Sequence, residues 1–283
     1  MSQWSAQPEP RYRPQPDPST RGYEPVNPEG PLRQLVRRLW APTAILIGLL
    51  IKFKGVALAI LKLKVFATSA TMLVSVAAYA WIWGWRFAVG LVAMLLVHEL
   101  GHVLELRRQG IRASAPIFIP FLGAAIGMKE LPKDAWREAQ VALAGPIVGG
   151  LAALGVWLAG AALDSDLLVA IAFVGFLLNL FNLLPIVPLD GGRAVGALHP
   201  ALWAVGLGGL VALTVLRPNP ILLLILVVGG MELWRRWRGR GSSEARTYYA
   251  VRPWQRAAVG VTYICLAALL GLGMSATHVE RSF

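Results

Sequence analysis

Two histidines and a glutamate stand in the order His-Glu-x-x-His, as His98, Glu99 and His102, within an apolar segment that begins at Phe87. In a helix turning about 100° per residue, His98 and His102 fall about 40° apart and one turn apart, so both imidazoles can reach one metal ion. Glu99 then lies on the adjacent flank, where a carboxylate can take a proton from water at the metal. Ionisable side chains are costly in a hydrophobic span unless they are used, which argues for a metal site over a chance match.

A hydrolytic zinc takes three protein ligands and keeps an open position. The third is expected from the polar stretch Asn179-Leu-Phe-Asn182-Leu-Leu-Pro185-Ile-Val-Pro188-Leu-Asp190-Gly191-Gly192-Arg193. Pro185 and Pro188 interrupt the helix there, and Gly191-Gly192 permits a sharp turn. Broken backbone at membrane depth is tolerated only where protein or a water-filled cavity satisfies it. Asp190 is therefore read as the third ligand, with one Zn2+ per chain. Glu105 is a competing ligand at a good angle, but it lies about 10 Å further along the helix than His98. It suits orienting His102 or pairing with a nearby arginine. Asn182 either donates its amide to the oxyanion of an attacked carbonyl or caps backbone freed by Pro185. Asn179 is assigned to packing or hydrogen bonding between helices. His199 and His278 lie away from this cluster.

The elements that must position these groups follow from composition. The 283 residues are 56% hydrophobic and 15% charged, with mean hydropathy +0.58. That apolar surplus exceeds what a soluble core can hide and calls for lipid. About seven spans are expected, near residues 65–85, 87–106, 139–163, 167–184, 198–216, 220–234 and 257–274. Trp81, Trp83 and Trp85 mark an interfacial belt at the end of the first. With the amino terminus inside, all of the 27 Lys and Arg except Arg86, Arg217 and Arg281 fall in inner segments. The net charge of +12 is accounted for by these loops, and no nucleic-acid partner is expected.

Residues 1–31 are Pro-rich and expected to be a disordered tail with no cleavable signal, and 32–64 a basic juxtamembrane segment at the interface. Residues 65–198 form the membrane core with the chemistry, and 199–283 add further helices and a basic cytoplasmic loop. Between the second and third spans, residues 113–128 are apolar but broken by Pro116, Pro120 and Gly123. They suit a short membrane-associated hairpin, whose edge could hold an unwound substrate strand, or a plain structural loop. Cys265 cannot form an internal disulfide and is expected to be a buried small hydrophobe. The fold class expected is thus an all-α polytopic membrane protein with a hairpin after its second span.

The pairing of His98-Glu99-Leu100-Gly101-His102 with Asn182-Leu-Leu-Pro-Ile-Val-Pro-Leu-Asp190-Gly resembles the site-2 protease family of intramembrane zinc metallopeptidases. The similarity covers roughly residues 65–198. It implies zinc bound by His98, His102 and Asp190, Glu99 as general base, and Asn182 positioning substrate or the oxyanion. It further implies transmembrane protein substrates, a lipid bilayer setting and, for a chain of this simple architecture, a bacterial inner membrane. Against two branches of that family, neither a PDZ domain after the second span, where there is no room for one, nor a CBS domain in the carboxy-terminal part of this sequence is expected. Two other readings use the same residues. One is a catalytically silent membrane protein that binds and regulates client helices. The other is a transporter, which should show internal repeats that are not seen here.

Overall fold

The computed structural model describes residues 66–278 apart from Leu122, Lys129 and Arg240. The expectations for residues 1–31 and 32–64 lie outside the described residues. Nine helices and one hairpin are described: α1 (Phe66–Trp83), α2 (Trp85–Arg108), β1 (Ile117–Ile119), β2 (Gly123–Ala125), α3 (Ala135–Ala162), α4 (Asp166–Asn182), α5 (Asp190–Val195), α6 (Ala201–Leu216), α7 (Pro220–Gly239), α8 (Ser243–Tyr248) and α9 (Pro253–Ala276).

Four of these helices, α1, α2, α3 and α9, are long and apolar enough to cross a membrane. Helices α4 and α6 are apolar but shorter, with 17 and 16 residues. Helix α7 has the length, but its carboxy-terminal part carries Glu232, Arg235, Arg236 and Arg238.

Helix α3 lies at the centre and packs along both α2 and α4, while α9 packs on α4, α3 and α5. Its start is fixed by Asp134, whose side chain accepts the Arg137 N–H at 2.8 Å. Small residues then line its buried face (Ala139, Ala142, Gly145, Gly149, Gly150 and Ala153) and let the neighbouring backbones approach closely. Helix α2 buries Ala88, Leu91, Val92, Leu95, His98, Glu99, His102 and Leu106, a stripe with helical spacing that carries the polar motif inward with the apolar face.

Residues 117–125 form the expected hairpin, antiparallel and paired Ile117 to Ala125, Phe118 to Ala124 and Ile119 to Gly123. Helix α1 closes one rim of it. Thr68 Oγ1 donates to the Pro116 carbonyl at 2.9 Å, and the Phe118 N–H is directed to Thr71 Oγ1 at 3.3 Å. Because the Phe118 N–H points away from β2, the backbone of Ala124 opposite it points away from β1. That outer rim of β2 has no hydrogen-bond partner among the described residues.

Cys265 departs from expectation: it is exposed on α9 rather than buried. The reason is that a helix bathed in lipid keeps apolar residues on its outer surface too, so an apolar neighbourhood in sequence does not imply contact with protein.

Candidate metal centre

Helix α2 and the short α5 meet at three atoms. His98 Nε2 and His102 Nε2 are 3.1 Å apart, and each lies 3.1 Å from Asp190 Oδ2. All three side chains are buried. The other ring nitrogens are already committed. His98 Nδ1 is 2.8 Å from Asn179 Oδ1, and His102 Nδ1 is 2.8 Å from the Val141 carbonyl. The amide of Asn179 is fixed in that sense because its Nδ2 donates to the Gly175 carbonyl at 2.7 Å.

Both Nδ1 atoms therefore face acceptors and carry a proton, and in the neutral form of each ring this leaves Nε2 as a bare lone pair turned toward Asp190. Two bare imidazole nitrogens and a carboxylate oxygen, buried in a mutual triangle, repel one another unless a cation sits among them. Ligands about 2.0–2.2 Å from a tetrahedral zinc stand about 3.3 Å apart, so the 3.1 Å triangle needs only slight opening. The residues fit the ion, and His98, His102 and Asp190 form a buried triad that could hold it.

Local sequence explains how the three groups converge. Gly145 of α3 leaves room for His102, since a Cβ there would overlap the imidazole, and one turn later Gly149 does the same for the Asn179 amide. Gly101 lets α2 rest against the backbone of Ala144. After α4 ends, the chain through Pro185 and Pro188 folds back over the first turn of α5. A Cβ at Gly191 would meet the Leu183 carbonyl, and one at Gly192 the backbone of Ile186 and Val187. Tyr263 of α9 donates to the Leu183 carbonyl, and Trp203 Nε1 donates to the Gly192 carbonyl at 2.7 Å, pinning the turn from both sides.

Glu99 is buried on α2 within electrostatic reach of His98, His102, Asp190 and Arg193. Asn182 sits at the end of α4, half-buried, with its amide donating to the Leu178 carbonyl at 3.1 Å. Asn179, three residues earlier, is the asparagine that touches a triad histidine. Its interhelical hydrogen bond was foreseeable; that the partner would be His98 was not. Glu105 does not orient His102, whose Nδ1 meets Val141. It pairs instead with Arg108 at 2.7 Å and accepts from Gln109 at 2.9 Å. His199 is exposed, and its ring accepts the Ala201 N–H at 3.1 Å.

A second polar cluster, which sequence reading missed, lies beside the triad. Arg193 Nη1 is 3.8 Å from Asp190 Oδ1, the oxygen turned away from the histidines, and its Nε is 3.4 Å from Glu138 Oε1.

Comparison with known proteins places these residues in context. The sequence model of peptidase family M50 matches residues 86–165, which include the His-Glu motif but end before Asn182 and Asp190. Rip3 of Mycobacterium tuberculosis, named as a zinc metalloprotease, is 39% identical over 120 residues, covering 39% of this chain and 30% of Rip3. The zinc metalloprotease MJ0392 of Methanocaldococcus jannaschii is 28% identical over 113 residues, covering 38% of this chain and 32% of that protein. The chain thus spans about a third of the length of these curated relatives.

Proposed function

We propose that this chain, whose residues 86–165 match the sequence model of peptidase family M50, is an intramembrane zinc endopeptidase of the site-2 protease family. Its substrates in this reading are membrane proteins, cut within or near a transmembrane segment. The observation that carries the reading is the buried triangle of two imidazole nitrogens and a carboxylate oxygen, with Glu99 alongside. His98, His102 and Asp190 would hold a zinc ion, which would supply Lewis acidity and lower the pKa of water toward about 7.

The chain's own residues do the rest. Glu99 takes the proton from the attacking water and returns it to the leaving amine. Asn182, one turn past Leu178 at the mouth of α4, turns its amide to substrate or to the developing oxyanion. A peptide bond in a helix must first be freed from its hydrogen bond, so substrates carry helix-weakening residues near the cut. The open rim of β2 offers the freed segment a backbone ladder, since Thr68 and Thr71 occupy the β1 side. The seven-span topology and the cytoplasmic amino terminus belong to the same proposal, supported by the distribution of Lys and Arg, and so does a bacterial inner membrane, supported by the family resemblance alone.

Glu99→Gln tests it. The variant should bind zinc as the wild-type chain does and lose cleavage of a reconstituted transmembrane substrate by about 10²-fold or more. Undiminished turnover overturns the assignment of the base. A wild-type chain that binds zinc yet cleaves none of a panel of transmembrane substrates favours a silent helix-binding role.

A further inference from the structure

Helices α7 and α8 have no part in the motifs, yet they reach the metal ligand by two routes. On the first, Glu138 of α3 is buried and is met from three sides: Arg193 Nε and Arg236 Nη2 at 3.4 Å on Oε1, and the Tyr248 hydroxyl at 2.7 Å on Oε2. Burial and the Glu138 carboxylate push Tyr248 far above the ordinary tyrosine range, so the hydroxyl stays protonated and donates. Arg193 continues to Asp190 Oδ1 at 3.8 Å. On the second route, the Arg236 guanidinium lies over the Trp203 ring, 5.5 Å from its centroid, and Trp203 holds the Gly192 carbonyl two residues beyond Asp190.

Arg236 itself is held rigidly. Its Nε donates to Glu232 at 3.0 Å and its Nη1 to the Tyr249 hydroxyl at 3.3 Å. A planar fork engaged on four sides has little freedom, and its position is transmitted to whatever it touches. Oδ2 of Asp190 faces the histidines while Oδ1 faces Arg193, so the orientation of this carboxylate depends on where Arg193 is kept. Such outer partners of a metal ligand commonly change affinity by about 10–100-fold when removed.

We propose that Arg236 is a positioning residue for the metal ligand Asp190, acting through Glu138 and Arg193 on one side and through Trp203 and Gly192 on the other. The segment from α7 to α8 thereby sets how tightly the site holds its metal. This rests on the metal reading above and extends it to residues far from the motif.

The test is titration of the purified, metal-stripped full chain with Co2+, followed by its visible ligand-field bands and by competition with a chelator. Arg236→Gln should weaken binding about 10-fold and alter the band shape, and Arg236→Lys, which restores charge without the fork, should fall between it and wild type. Tyr248→Phe, which removes one oxygen from the cluster, should weaken binding about threefold. The double variant Arg193→Gln with Arg236→Gln should lose less than the product of the single losses, because both act on one carboxylate. Should Arg236→Gln fail to fold, Tyr248→Phe decides. Affinities within twofold of wild type for the folded variants, or losses that multiply as for independent sites, overturn the inference. A wild-type chain that takes up no cobalt, or a His98→Ala chain that takes up as much, overturns the metal reading itself.

Discussion

At the scale of single residues, the site divides two asparagines by what they face. Asn179 accepts from the His98 ring and Asn182 bonds only its own helix. Asn179→Ala is expected to free the His98 ring and cost about 10–100-fold in zinc affinity, measured by chelator competition. Asn182→Ala is expected to keep its zinc and lower kcat, by about 10²-fold if the amide serves the oxyanion. The same split shows what sequence discloses. That both histidines and the aspartate would converge was legible, because the helical spacing of the pair and the broken polar stretch around Asp190 point to one place. Which asparagine turns toward α2 was not, since the two lie only about 60° apart around α4 and the choice is made by the space that Gly149 leaves on another helix.

Among elements, α3 decides the geometry although it donates no ligand. Its glycines at 145 and 149 are a turn apart, and each makes a recess for one polar side chain. Gly145→Ala should therefore press a methyl group into the His102 ring. The expected outcome is loss of bound metal, with destabilisation of about 1–3 kcal/mol read from thermal or denaturant unfolding in detergent. Zinc content equal to wild type would show that the ring has room to retreat. Sequence alone identified α3 as apolar and rich in small residues, and from Pro116, Pro120 and Gly123 it allowed a hairpin or a plain loop, of which the structure has the hairpin. It missed the Glu138 cluster, because the partners lie 55, 98 and 110 residues away and no local pattern links them. It read spans near 167–184 and 198–216, where α4 and α6 are helical for 17 and 16 residues, at the lower end of the usual crossing length of about 17–25.

For the whole molecule, the placement of Lys and Arg makes a topological prediction. Asp166 and Glu244 are both exposed, at the start of α4 and in α8, and the charge distribution assigns them to opposite faces. In a Cys265→Ser background, a membrane-impermeant maleimide applied to intact cells should label Asp166→Cys and spare Glu244→Cys until the membrane is opened. The reverse pattern would invert the proposed orientation. Topology also bears on the hairpin. A two-stranded ribbon normally carries two unpaired flanks, and each invites another strand. Here threonines from α1 blunt one flank, so the ribbon can grow in a single direction. A guest peptide can dock once; two copies of the chain meeting flank to flank would cap each other at four strands. Among the described residues only one flank is left unpaired, so in the proposed reading the ribbon could receive a client strand yet could not extend into a continuous ribbon of many chains.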